Sequence, residues 1–341
     1  MAERKVTITD VARAAGVSIS TVSRVINNST PVSPDLREQV LCAVRELGYQ
    51  PNILAQNLRN KSVAAIGVII PDIRAPFFSM VVRGIEDVCF EHEHTVLLCN
   101  SDGDPEKEIL YAEALYRRQV DGIIFASAWG WDFSDHIEEL YRRGMPLSFI
   151  NRTLSNLAVD MVLVDKTIGN YQATRHLLDL GHRVIGCITM LSSGGATQEE
   201  VRGYRRALSE AGLAVDESLI IAATPVPAEG RLAAQKLLAR EPRPSAIFAR
   251  SDSLAMGVLY AAWEMGIKVP DELSVVGYSD ANLMEFLTPP LTTVRQPQYE
   301  MGARAATALF ERIECNDLPQ RQTIIQPQLI VRGTTAPYKG V

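Results

Sequence analysis

The sequence is poor in the residues that would tie it to an oxidising compartment, a metal or a membrane. Its 341 residues include five cysteines, Cys42, Cys89, Cys99, Cys187 and Cys315. They are odd in number and widely spaced, and no C-x-x-C pair occurs, which favours free thiols over disulfides or a zinc site. No apolar run approaches the ~18 residues of a membrane span. The longest extends from Val63 to Ile70, and the start MAERKVTITD lacks the apolar stretch of an export signal. The expectation is a cytoplasmic protein without membrane, metal or cofactor.

Catalytic signatures are missing as well. No G-x-G-x-x-G follows the first candidate strand, which reads Gly67-Val68-Ile69-Ile70-Pro71-Asp72, and neither G-x-x-x-x-G-K-[ST] nor G-x-S-x-G occurs. Gly194-Gly195 reads as a turn, although such a pair before a helix can hold an anion. Of the five histidines only His92 and His94 are close in sequence, and beside Glu91 and Glu93 they read as a solvated surface. Nucleotide-dependent and hydrolytic enzymes lose their support, and no catalytic constellation is expected.

What is present is a globular composition. Apolar residues make up 47% and charged residues 22%, without a low-complexity tract. Single cores stop growing near ~250 residues, so two or three domains are expected. The net charge of -6 hides an asymmetry: residues 1–61 hold eight Lys+Arg against five Asp+Glu, or +3, leaving -9 for the remainder. A small basic head on an acidic body suits an approach to a polyanion.

The head reads as three short helices. Thr7-Ile8-Thr9-Asp10 has the form of a capping box, with the Thr7 hydroxyl serving a first-turn N–H. Ile8, Val11, Ala12 and Ala15 follow helical spacing, and Gly16 is the left-handed stop. Ser18 caps a second helix from Ile19 to about Asn28, with Val22, Val25 and Ile26 on its apolar face and Ser20, Thr21, Arg24 and Asn27 opposite. Ser33-Pro34 opens a third helix with Leu36, Val40, Leu41, Val44 and Leu47, closed by Gly48. Two helices joined through Gly16-Val17 have a helix-turn-helix layout. A major groove about 12 Å wide admits one such helix, whose N-terminal side chains reach base edges while cap hydroxyls and N–H groups hold phosphates. Arg24 can fork onto a guanine. The alternative is a three-helix bundle that binds nothing.

The run from Val6 to Ser18, then Thr21-Val22-Ser23-Arg24-Val25-Ile26-Asn27 and Gly48-Tyr49-Gln50-Pro51-Asn52, resembles the head of the lactose-repressor (LacI/GalR) family of bacterial transcription regulators. The resemblance implies that Ile19 and Ser20 select the operator, supported by Thr7, Ser18, Thr21, Arg24, Asn27, Tyr49, Asn52 and Ala55. Residues 53–59 form a candidate hinge helix of about two turns, too short to be stable unpartnered. By resemblance, hinge helices from two subunits lie in the minor groove of a pseudo-palindromic duplex, and Leu58 wedges between base pairs. The alternative is a plain linker.

From Val63 onward strands alternate with amphipathic helices. Candidate strands are Ala65–Ile70, Thr95–Cys99, Gly122–Ala126, Leu147–Ile150, Val184–Thr189, Leu219–Ile221, Ala246–Ala249 and Ser274–Gly277; helices include Pro76–Glu93, Pro105–Arg118, Ile168–Leu180 and Arg231–Arg240. The pattern predicts two doubly wound parallel sheets with ligands at the carboxyl ends of the strands. Gly67–Ile73, Pro76-Phe77-Phe78, Gln119–Ile124, His176–His182, Ser274–Tyr278 and Pro290–Pro297 carry the same family resemblance. It implies an α/β protein with an all-α helix-turn-helix head (1–49), a hinge (50–62) and a two-lobed, periplasmic-binding-protein-like body (63–341) that binds effector and dimerises. Lobe 1 would cover about 63–163 and 295–325, and lobe 2 about 164–294 and 326–338.

The implied effector contacts are Ile73, Arg74, Phe77, Phe78, Asn151, Arg152, Glu200, Arg250, Ser251, Ser279 and Gln296. Three features depart from the family pattern: Glu200 stands for an Arg, the Asn of the A-N-D-x-x-A-x-G motif is replaced within Ala249-Arg250-Ser251-Asp252-Ser253-Leu254-Ala255-Met256-Gly257, and Ser279 stands for an Asp. Glu200 pairs either with Arg250 or Arg152, or with a ligand donor. The expected function is that of a homodimeric regulator, a repressor by preference, whose operator affinity responds to a small effector such as a carbohydrate or related metabolite. A regulator gated by a protein partner and a solute-binding sensor are the alternatives. The chain ends at Tyr338-Lys339-Gly340-Val341 without the leucine-heptad tail of tetrameric members, so a dimer is expected.

Overall fold

The computed structural model describes residues 6–27, 32–49, 64–126, 134–154, 157–191 and 201–340, which contain eleven α-helices and twelve strands. The chain separates into two compact units, residues 1–63 and 64–341. The candidate hinge, with Asn52, Ala55 and Leu58, lies outside the described residues, as do Gly194, Gly195 and Glu200.

In the first unit, α1 spans Ile8–Ala14, α2 Ile19–Asn27 and α3 Pro34–Leu47. The first cap is the expected capping box between Thr7 and Asp10, and the Asp10 carboxylate accepts from both the Thr7 backbone N–H (3.0 Å) and the Thr7 hydroxyl (2.7 Å). Gly16 takes a φ of +61°, and the Val17 N–H closes back onto the Ala12 carbonyl. Val11, Ala12, Ala15, Val22, Val25, Val40 and Ala43 form the core. Leu36, Leu41 and Leu47 remain exposed, because Val40 and Ala43 already fill the narrow space between the helices.

The second unit holds two six-stranded sheets. Its elements are β1 (Ala65–Ile70), α4 (Pro76–Glu91), β2 (Thr95–Asn100), α5 (Pro105–Arg117), β3 (Gly122–Ala126), α6 (Ser134–Arg142), β4 (Leu147–Ile150), β5 (Asp160–Val164), α7 (Lys166–Asp179) and β6 (Ile185–Met190). There follow α8 (Arg202–Glu210), β7 (Ile220–Ala223), α9 (Pro227–Leu238), β8 (Ala246–Ala249), α10 (Asp252–Glu264), β9 (Ser274–Ser279), β10 (Thr292–Arg295), α11 (Gln298–Glu314), β11 (Arg321–Ile325) and β12 (Gln328–Ile330). One sheet runs β11-β5-β4-β3-β1-β2 and the other β12-β10-β9-β8-β6-β7. Every pairing is parallel except that of β12 with β10. The chain passes between the sheets three times: after β5, after β10 and after β11.

Strand composition explains this layering. β1, β3, β4 and β8 are buried throughout, as strands covered on both faces must be. Helices α4 and α11 cover one face of the first sheet and meet almost backbone to backbone. A Cβ on Gly84 would lie 2.1 Å from the Tyr299 carbonyl oxygen, and one on Gly302 2.0 Å from that of Val81. β5 opens with a charge: Asp160, 2% exposed, is met by Arg312 Nε at 2.8 Å and Arg321 Nε at 2.6 Å. His92 is exposed as expected, its ring stacked on Phe310 at 4.0 Å, whereas His94 is half-buried and meets Phe310 edge-on at 5.0 Å.

Candidate functional site

The amino end of α2 presents a compact polar surface. Ser18 caps the helix, its Oγ accepting from the Thr21 N–H at 3.1 Å and lying 2.7 Å from Ser20 Oγ and 2.8 Å from Thr21 Oγ1. Ser18, Ile19, Ser20 and Arg24 are exposed and Thr21 is half-buried, while Val22 and Val25 anchor the opposite face. Ile19 is 49% exposed, an apolar group left about half open to solvent among the described residues. Thr7 is exposed at the start of α1, and Tyr49 packs half-buried against the small core. Hydroxyls, one guanidinium and one apolar side chain on a convex helix end make a surface able to meet phosphates and base edges.

The second unit has a cleft between its sheets. Its empty volume, open mouth included, is about 720 Å³. One wall comes from the start of α4, Ala75 to Phe78, and from Asn151 after β4. The other comes from the carboxyl ends of β6, β8 and β9: Met190, Arg250 to Ser253, Ser279 and Ala281, with Met256 and Met284 behind. Lys166 and Gln296, at two of the crossings, complete it. Ligand-sized space at the carboxyl ends of parallel strands follows from the topology.

Seven of the expected contacts therefore line one cavity: Phe77, Phe78, Asn151, Arg250, Ser251, Ser279 and Gln296. Phe78 is buried in the lobe core and Phe77 meets it edge-on at 5.1 Å, so both pack as well as line the cleft. Asn151 takes a φ of +57°, and its Oδ1 accepts from the Val164 N–H at 3.3 Å. Ser279 takes a φ of +133°, its carbonyl receiving the Gln296 N–H at 3.2 Å and the Gln298 amide. Arg250 is 5% exposed, with its guanidinium carbon 4.2 Å from the Tyr278 ring centroid. Arg250 and Ser279, two of the departures from the family pattern, both face the cavity.

Three expected contacts lie elsewhere. Ile73 is 57% exposed on the loop after β1. Arg74 is drawn back onto Asp72, with Nη2 2.9 Å from Oδ2, because the neighbouring carboxylate holds its guanidinium in solvent. Arg152 is 2% exposed inside lobe 1, where Nη1 donates to Glu108 Oε1 at 2.7 Å and the guanidinium lies 6.0 Å from the Phe149 ring centroid. Glu108 is therefore the carboxylate partner of Arg152.

The sequence reading missed Lys166 and Asp252. Lys166 follows the Asp165 cap of α7, and a single lysine at a helix start carries no distinctive signal. Asp252 is 3% exposed; Oδ1 accepts from the Thr293 hydroxyl at 2.6 Å and Oδ2 from the Ala281 N–H at 2.8 Å. Burial outweighs these bonds and pushes its carboxyl up to about 6. Asp252 thus ties α10 to the segment after β9 across the floor of the cleft.

Comparison with known proteins agrees with both surfaces. Residues 7–52 match the bacterial regulatory proteins of the lacI family, and residues 63–333 match the periplasmic binding proteins and sugar binding domain of the LacI family. The chain belongs to the LacI family: it is a DNA-binding transcriptional regulator under effector control, not an enzyme. It is 40% identical over 334 residues to the HTH-type transcriptional regulator DegA of Bacillus subtilis (strain 168), covering 98% of this chain and 99% of that one. It is 37% identical over 330 residues to the transcriptional repressor PurR of Vibrio campbellii, covering 96% and 98%. Among solved structures, the Lac repressor dimer bound to operator and the anti-inducer ONPF gives a TM-score of 0.85 at 26% identity, covering 98% of this chain and 100% of that one. No helix among the described residues is long and apolar enough to cross a membrane.

Proposed function

We propose that the protein is a cytoplasmic, homodimeric repressor that reads a pseudo-palindromic operator through α2 and releases or tightens its grip when a metabolite enters the cleft. The observation that carries this reading is the amino end of α2, where Ser18, Ser20 and Thr21 are joined by hydrogen bonds beside exposed Ile19 and Arg24. In this reading Ile19 and Ser20 select bases, Arg24 and Asn27 contact base or backbone, and Thr7, Ser18 and Tyr49 hold the phosphates. Asn52, Ala55 and Leu58 belong to the hinge, with Leu58 as the minor-groove wedge. Among the described effector candidates, those on the cleft wall carry the ligand reading. Ile73 and Arg74, on the loop after β1, and Arg152, paired with Glu108, are not among the residues that line the cleft. Two similar proteins carry small molecules in their solved structures, the Lac repressor with ONPF and CelR with cellobiose, which supports a carbohydrate or related metabolite here.

The test begins by selecting an operator from random duplexes at fixed ionic strength, then titrating it by fluorescence anisotropy. Arg24→Ala should weaken operator binding about tenfold while leaving the circular dichroism spectrum unchanged. Unchanged affinity would refute the contact role. Adding a small-molecule cell extract should shift the titration of the unaltered protein, and no shift with any extract would overturn the effector reading.

A further inference from the structure

Inside lobe 1, ionisable side chains from three elements meet without satisfying one another. Glu108 Oε1, on α5, takes Arg152 Nη1 at 2.7 Å and faces His136 Nε2, on α6, at 3.6 Å, too far for a hydrogen bond. They rest on a pair of stacked rings. The Arg152 guanidinium lies 6.0 Å from the Phe149 centroid, the His136 ring meets Phe125 at 6.5 Å, and Phe125 stacks on Phe149 at 5.2 Å. Arg152 is 2% exposed, yet its Nε and Nη2, like His136 Nε2, are buried without a hydrogen-bond partner. Native interiors pair nearly all such groups, so an open set of this kind marks stored strain or a second arrangement. Arg152 directly follows Asn151, which lines the cleft. Asn151 holds a left-handed backbone, with its N–H on the Val162 carbonyl at 2.9 Å and its Oδ1 accepting from the Val164 N–H. Asparagine tolerates that conformation without preferring it, so its neighbours must keep it there. β5 supplies one restraint, and the buried Arg152 side chain supplies the other.

Resting on the reading of the cleft as the effector site, we infer that Glu108 and His136 are positioning residues for the effector: through Arg152 they set Asn151 on the cleft wall, and charge on His136 loosens that setting. Neither is among the lining residues, so both act on a ligand only through Arg152 and Asn151. With His136 neutral, one carboxylate serves one guanidinium. A charged imidazole puts two buried cations on the same carboxylate, and the surplus positive charge repels Arg152. Burial holds the His136 imidazole below its usual range, against the pull of Glu108; Arg152 also disfavours the charge, and Asp135 favours it. Among the described residues these are the charged groups that act on the ring: Glu108 from α5, Arg152 from the segment after β4, and Asp135 from the first turn of its own helix. The setting is therefore firm near neutral pH and loosens as acid charges the ring.

Hydrogen exchange on the full chain, followed by mass spectrometry over residues 147–154 and corrected for the intrinsic pH dependence of exchange, measures the setting without a ligand. Between about pH 7.5 and about pH 5.5 the unaltered protein should lose about tenfold in protection there, whereas His136→Gln, which cannot take up the charge, should stay level. Glu108→Gln should be poorly protected at both pH values wherever the variant retains the parent unfolding temperature. No loss in the parent, or an equal loss in His136→Gln, would overturn the inference. The operator titration with small-molecule cell extract is then run on parent and His136→Gln at the same two pH values, each referred to its own titration without extract. The amount of extract that gives half the shift should rise about threefold or more on acidification for the parent and not for the variant, and equal rises would also count against the inference. An extract without effect at either pH would overturn the effector reading instead, and the exchange measurement would still decide whether His136 and Glu108 hold Asn151 in place.

Discussion

At the scale of single residues, the cleft floor depends on a carboxylate held in an unfavourable place. Asp252 has its carboxyl raised from the ordinary 3.8 to about 6, chiefly by burial. The folded chain therefore binds the Asp252 proton more tightly than the unfolded chain does. Its contribution to stability is full below about pH 4 and is lost as pH rises through about 6. Thermal unfolding of the parent should gain stability relative to Asp252→Asn as pH is lowered from 7.5 to 4.5, and parallel pH profiles of the two would contradict the assignment. The amide can donate to Thr293 while still accepting from Ala281, so the variant retains the local connections. Such residues were only partly legible in the sequence. Arg250 and Ser279 stood out as departures from a family pattern, and the cavity includes both. Arg152 looked equivalent to them, but its partner Glu108 is 44 residues away on α5, a contact that no local spacing announces.

At the scale of elements, apolar periodicity located the central strands almost to the residue: Ala65–Ile70, Gly122–Ala126, Leu147–Ile150 and Ala246–Ala249. It failed for β5, β10, β11 and β12. β5 begins with Asp160, whose neutralising arginines lie 152 and 161 residues further on, so a local window sees only a charge interrupting an apolar run. β11 and β12 are edge strands with partly exposed residues, and β12 has three residues in all. The packing of α4 on α11 was also hidden, since a glycine in a helix reads as a weak position until its neighbour is known. Gly302→Ala places a methyl group against the Val81 carbonyl and should cost about 3 kcal/mol or more. Denaturant unfolding of the variant measures this, and a loss below about 0.5 kcal/mol would show that the helices separate freely.

At the scale of the whole molecule, regulation requires that the effector prefer one lobe arrangement over another. Couplings of ~1–3 kcal/mol change operator affinity by about 5–150-fold. On the proposed mechanism Leu58 acts only where the duplex can be kinked. Leu58→Gly should therefore lower affinity for the selected operator by about tenfold or more while leaving binding to random duplex nearly unchanged. Equal losses on both would exclude a wedge. Two-lobed architecture was legible because alternating strands and helices over more than two hundred residues admit few other arrangements. The lining of the cleft was less so, because its walls are assembled from segments far apart in sequence.

The order in which the chain supplies its strands has a consequence for synthesis. β11 and β12, residues 321–330, finish one sheet each, so a ribosome that stops before Arg321 releases a complete head on a body with β5 and β10 left as raw edges. Open edges of that kind recruit other strands. A product truncated there is expected to associate through those edges rather than remain a well-behaved dimer.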